Sequence, residues 1–209
     1  HLSLRRQRQM CIRDSYNTGI GSNALLANTI GQYNVAIGSQ ALTTNVSGSY
    51  NTAIGAAALL LNTTGTNNTA TGYRALSSNT TGSQNTAMGL QALYSNTIGN
   101  YNTAFGQEAL YSNTTGNQNT ATGYSALYSN TTGGGNTAYG FESLAFNTSG
   151  SYNTAFGFQS LSANTTGAKN VAIGDSALYS NTTGNYNTAV SYTHLRAHET
   201  EADLVCRLL

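Results

Sequence analysis

Apolar and polar positions recur along this chain with a period of 17 residues rather than with the short period of a single helix or strand. From Asn17 the unit reads Asn-Thr-Ala-apolar-Gly-x-x-Ala-Leu-x-x-Asn-Thr-Thr-Gly-x-x. Ten complete copies run to Tyr186, and an eleventh begins at Asn187. Position one is Asn in every copy, position nine is Leu from Leu25 to Leu178, and position twelve is Asn from Asn28 to Asn181. Glycine holds position five in all ten complete units and position fifteen from Gly31 to Gly184. A repeat of this length marks a stacked array in which each copy buries its apolar face on its neighbours.

The positions that never vary predict the architecture. Thr-Ala-apolar-Gly, as in Thr103-Ala104-Phe105-Gly106, reads as a short strand that pairs in parallel with its counterparts one rung away. Ala at positions three and eight, with Gly19 as the exception at the former and Ser143 and Ser160 at the latter, implies an interior wide enough for a methyl group, and the invariant Leu fills the remainder. Asn at one and twelve suits ladders of stacked amides. Gly at five and fifteen suits corners that need positive φ or close approach by the next rung. The second half of the unit is ambiguous. Gly, Ala, Leu and Asn at five, eight, nine and twelve follow helical spacing, so Gly106 to Asn113 has the pattern of about two helical turns. A helix about 10 Å wide does not stack on a strand spacing of about 4.8 Å, which favours a straight array with a tight turn or, preferably, a second short strand there. Asn-Thr-Thr-Gly then makes the return turn with residues that tolerate left-handed backbone. The expected fold is all-β: a parallel β-solenoid of ten rungs, about 48 Å long at that spacing, with one short helical turn per rung as the alternative.

Composition narrows the function classes. Only 7% of residues are charged, Pro and Trp are absent, and the formal net charge is +1, so no nucleic-acid-binding surface is indicated. No apolar run approaches the roughly 20 residues of a membrane-spanning helix, so no membrane insertion is expected of this segment.

The first 15 and last 20 residues lie outside the repeat, yet they hold six of the eight basic residues, both Cys and all three His. Arg5 to Asp14 resembles one reading frame of a transposase-type sequencing-library adapter. Val190 to Glu199 resembles the opposite adapter, and Leu204 to Leu209 its flow-cell end. Residues 1–15 and 190–209 are therefore expected to be translated adapter, leaving 16–189 as a fragment of the repeat array. His194 and His198, four apart beside Glu199, would otherwise suggest metal ligands, with Cys206 as a third and Cys11 as a nucleophile. Translated adapter is the preferred reading of all five. Within 16–189 there is no His, no Cys and no paired carboxylate, so no enzyme, metal or cofactor is expected.

Candidate binding residues fall on variable positions. Position ten carries Tyr94, Tyr111 and Tyr128 in successive rungs and then Tyr179, a set of candidate glycan or subunit contacts. Position seventeen carries Tyr33, Tyr50, Tyr101, Tyr152 and Tyr186, and position six carries Tyr73, Tyr124, Phe141 and Phe158. Position four, with Ile20, Ile37, Ile54, Met88, Phe105, Tyr139, Phe156 and Ile173, is apolar enough to face either the interior or a subunit interface. Asn-Thr-Thr spells a glycosylation acceptor at Asn62, Asn79, Asn113, Asn130, Asn164 and Asn181, but adjacent rungs leave no room for adjacent glycans, so these read as turn chemistry.

Asn102-Thr103-Ala104-Phe105-Gly106 and Ala109-Leu110-Tyr111-Ser112-Asn113-Thr114-Thr115-Gly116 resemble the Asn-Thr-Ala-x-Gly repeats of phage tail fibre proteins and related bacterial surface proteins. Those proteins often end in an intramolecular chaperone that trimerises the fibre. The unit is also similar, more loosely, to the head repeats of trimeric autotransporter adhesins, which use a shorter repeat in a parallel β-roll. The resemblance covers 16–189 and implies a structural or adhesive shaft outside the cell, on a virion or a bacterial surface. It also implies self-association as a homotrimer and a host-surface glycan or receptor as partner. The alternative from the residues is an ice-binding solenoid, since Thr recurs in register at positions two, thirteen and fourteen. Val35, Val46, Ile30 and Ile98 interrupt those columns.

Overall fold

The computed structural model describes residues 15–190, and His194, His198, Glu199, Cys11 and Cys206 lie outside them. Eleven three-residue strands follow one another: β1 Thr18–Ile20, β2 Val35–Ile37, β3 Thr52–Ile54, β4 Thr69–Thr71, β5 Thr86–Met88, β6 Thr103–Phe105, β7 Thr120–Thr122, β8 Thr137–Tyr139, β9 Thr154–Phe156, β10 Val171–Ile173 and β11 Thr188–Val190. They form one sheet in chain order, and the neighbouring pairs are parallel and in repeat register, as in Ala87↔Ala104 and Ala104↔Ala121. The protein is a parallel β-solenoid, with each 17-residue unit forming one turn. Ser15 and Val190, one residue beyond each end of the expected array, also join the stack. Ser15 accepts a bond from the Tyr33 N–H at 3.1 Å, and Val190 pairs with Ile173.

The strand alternates as its pleat requires. Ala at position three is fully buried from Ala36 to Ala155, while positions two and four face outward. Buried beside it are Ala at position eight and Leu at position nine, so the apolar interior is two alanine columns and one leucine column.

The two amide columns complete the interior. The position-twelve Asn donates to its counterpart one rung earlier, as Asn113 Nδ2 does to Asn96 Oδ1 at 2.8 Å. The position-one Asn accepts from the backbone N–H of the next Asn in its column at about 3.0 Å, as Asn85 Oδ1 does from Asn102. Both columns also donate within the rung to the position-fifteen carbonyl: Asn34 and Asn45 reach Gly48 O at 2.8 and 2.9 Å. Among the described residues, no buried side-chain nitrogen or oxygen lacks a partner. An unpaired buried amide would cost about 1–3 kcal/mol, so a polar interior is tolerable only when it is closed in this way.

The two glycines serve different needs. Position five has φ between +113° and +138°, a region that disfavours a side chain. Position fifteen has no such φ. Instead, a Cβ on Gly116 would overlap Asn113 Oδ1 and the carbonyl oxygen of Gly133.

The second half of the rung takes the tight-turn alternative, not the preferred second strand. Positions six to eleven form neither two helical turns nor a second strand but a run of turns. The left-handed residues are not in Asn-Thr-Thr-Gly but at positions seven, nine and seventeen, where Glu108, Leu110 and Tyr101 have φ of 58°, 54° and 59°. These reversals of backbone sense aim successive N–H groups along the rod. Leu110 N–H donates to Ala126 O in the following rung at 2.9 Å, and Glu108 N–H to Leu90 O in the preceding one at 2.9 Å. Ala109 N–H closes a turn within the rung on Gly106 O. The segment thus keeps the strand spacing without strand conformation, which a helix does not do.

Candidate functional surface

The interior is filled by the near-invariant columns, and the large side chains at variable positions lie on the outside, whereas small ones at position ten, Ser77, Ala145 and Ser162, are buried. Position four is outside as well: Ile54 is 40% and Phe156 is 45% exposed, so the interior alternative for this column is excluded.

The position-ten tyrosines divide into two groups. Tyr94, Tyr111 and Tyr128 stack in sequence, with ring centroids 5.1 Å apart at both steps and interplanar angles of 11° and 7°. Tyr179 does not join them, because Ala145 and Ser162 occupy the same column on the two rungs between. Three further stacks follow the same geometry: Tyr16–Tyr33–Tyr50 at position seventeen, Tyr124–Phe141–Phe158 at position six and Tyr139–Phe156 at position four. Tyr16 precedes the first complete unit and extends the position-seventeen column by one rung.

Ring orientation decides what these columns can do. With planes nearly parallel and centroids one rung apart, each ring turns its faces towards its neighbours along the rod and its edge towards solvent. A sugar stacks on an aromatic face, so the interior of a stack offers it no platform. The stacks act instead as struts between rungs. Burial, with the carboxylate of Glu108 second, holds the Tyr128 hydroxyl above its ordinary value of 10.0. At the exposed end of position seventeen, Lys169 Nζ donates to the Tyr186 hydroxyl at 3.1 Å and lies 4.9 Å from its ring centre. That contact raises the Lys169 pKa.

The threonine columns are partly committed. From Thr63 to Thr165, each position-thirteen hydroxyl donates to the carbonyl of the next rung's position-thirteen residue, as Thr97 does to Thr114 O at 3.1 Å. Such donors are not free to order water. Every sequon asparagine at position twelve points inward with its amide engaged, which is a stronger bar to glycosylation than crowding between rungs; Asn113 and Asn130 are fully buried.

Among the described residues, no three His, Cys, Asp or Glu side chains group as metal ligands, and no helix is long and apolar enough to cross a membrane. In comparison with known proteins, the chain matches no family model, no curated protein and no solved structure.

Proposed function

We propose that this array is a non-enzymatic shaft, the spacer of a phage tail fibre or bacterial surface adhesin that works outside the cell and holds a receptor-binding tip away from its base. In this reading the shaft self-associates, as a homotrimer. A host-surface glycan or receptor meets the assembly elsewhere than on the stacked ring faces, and no cofactor takes part.

The supporting observation is the one-dimensional bonding. Beyond the bonds it closes internally, each rung bonds to the rungs before and after it through strand pairs, turn N–H groups and two amide columns. Added rungs therefore add length and little else, as a spacer requires. Ordering 17 residues costs about 1–2 kcal/mol for each in backbone entropy, while a rung buries only two Ala and one Leu as its apolar core. That imbalance favours a shaft stabilised by its neighbours and by further copies.

Recovery of the complete gene from its source locus, without library adapters, tests the reading. A shaft predicts an anchoring or assembly domain on one side of the array and a tip or chaperone on the other. An array embedded in a cytoplasmic enzyme would overturn it. The ice-binding alternative predicts thermal hysteresis, and the committed position-thirteen hydroxyls argue against it.

A further inference from the structure

We infer that the outer edge of the sheet, where positions four and six flank the glycine corner, is a contact surface for a second copy of this chain lying alongside the first. This rests on the shaft reading only in taking the rod as an assembling element.

The two columns compensate for one another. Position four is apolar or aromatic on every rung except two, where Thr71 and Thr122 stand, and on those same rungs position six is Tyr73 and Tyr124. Rungs with Ile at position four carry only Ser22, Ser39, Ala56 or Asp175 at position six. At β8 and β9 both positions are aromatic and both columns stack. Every complete rung thus presents at least one large apolar side chain on this edge, and the stripe runs unbroken from Ile20 to Ile173. Its large side chains are 36–58% exposed.

Size and charge select the occupant. Taking about 200 Å² for a large side chain, the exposed fractions amount to on the order of 1,000 Å² on one copy. Patches on monomers usually stop at about 300–600 Å², and a stable interface takes about 800 Å² from each partner. Asp175 is the one charged residue at either position in the described array, so the stripe has no electrostatic pattern for an acidic or basic partner to match. Its occupant has to be equally long and apolar, with the same rung spacing. A second copy of the chain has all three properties.

Light scattering on the full chain, with a Phe141→Lys and Phe156→Lys double variant, tests this. The unaltered chain is expected at two or more times the 21.8 kDa of one copy, and the double variant at one copy with unchanged circular dichroism. Tyr101→Lys with Tyr152→Lys, at position seventeen, is expected to leave the assembly intact. A photo-crosslinking phenylalanine analogue placed at Phe105 keeps the test open if the lysine variants do not fold. It should join two copies stripe to stripe, whereas the same probe at Tyr101 should not. A single-copy mass for the unaltered chain would overturn the inference and leave the stripe for a different occupant. Crosslinks joining copies through position seventeen would overturn it equally. Gene context unlike a fibre would remove the shaft reading while leaving these outcomes unaffected.

Discussion

Asn102 and Asn113, on opposite sides of one rung, donate their side-chain amides to the same carbonyl oxygen, that of Gly116, at 2.8 and 3.1 Å. One acceptor thereby closes the rung from both sides. Asn113 also donates to Asn96 and accepts from Asn130, both at 2.8 Å. Asn113→Leu keeps the branch at Cγ, in a somewhat larger side chain, but strands the Asn96 oxygen and one Asn130 N–H, at about 1–3 kcal/mol each. Urea unfolding should show a loss of about 2–6 kcal/mol. Thr115→Ala on the exposed column should stay within about 0.5 kcal/mol.

Asn113→Asp makes the same point through pH. The carboxylate would face two acceptor oxygens, Asn96 Oδ1 and Gly116 O, so its folded pKa is raised above the unfolded value of about 3.9. Such a group favours folding below its unfolded pKa, and that contribution is lost as pH rises through the folded one. The gap in melting temperature between variant and parent should therefore be smallest in acid and widen towards neutrality. A constant gap would show that the amide donors are not what the column needs.

The position-fifteen glycine is required for space alone. Gly116→Ala places a methyl group on Asn113 Oδ1 and on the Gly133 carbonyl, where overpacking costs about 1–3 kcal/mol. Gly106→Ala adds backbone strain at φ +129° to a similar overlap and should cost more. Thermal denaturation of the two variants beside Ser112→Ala checks both the ordering and the near-neutral control.

Leu110→Ala opens a cavity in a column buried on both sides and should cost about 2–5 kcal/mol. Leu178 is only partly buried near the end of the described array, so Leu178→Ala should cost about half as much or less. Because coupling runs between nearest neighbours, the central substitution should also broaden the calorimetric transition more than the terminal one.

Tyr128 should release its proton later than an ordinary tyrosine in an alkaline titration followed at the phenolate absorbance, and Tyr128→Phe should remove that late component. A raised folded pKa means that this stabilisation is complete below about 10 and is lost as pH rises further.

The interior was legible because invariance and residue size coincide there: Ala36, Leu42, Asn34 and Asn45 occupy the columns that spacing and volume indicated. The turn run was legible only as one alternative, and its left-handed positions were not, because left-handed backbone is ordinarily signalled by Gly or Asn, whereas here Leu110 and its equivalents adopt it. The period-17 columns also located the aromatic stacks. They carried no information on ring orientation, so Tyr94, Tyr111 and Tyr128 could be grouped without showing that their faces are turned on each other. Tyr179 was grouped with them by column alone, and two intervening small residues set it apart.

Both amide columns run in one sense: at position twelve each Nδ2 reaches the lower-numbered rung, from Asn45 on Asn28 to Asn181 on Asn164, and at position one each Oδ1 accepts from the higher-numbered rung, as Asn85 does from Asn102. Aligned amide dipoles add and polarise one another, as peptide dipoles do in a helix. The rod therefore has an electrical head and tail, donor-rich at its amino-terminal end and acceptor-rich at its carboxy-terminal end. A segment that terminates the stack must match this polarity, offering acceptors below the first rung and donors above the last, and the two caps are not interchangeable.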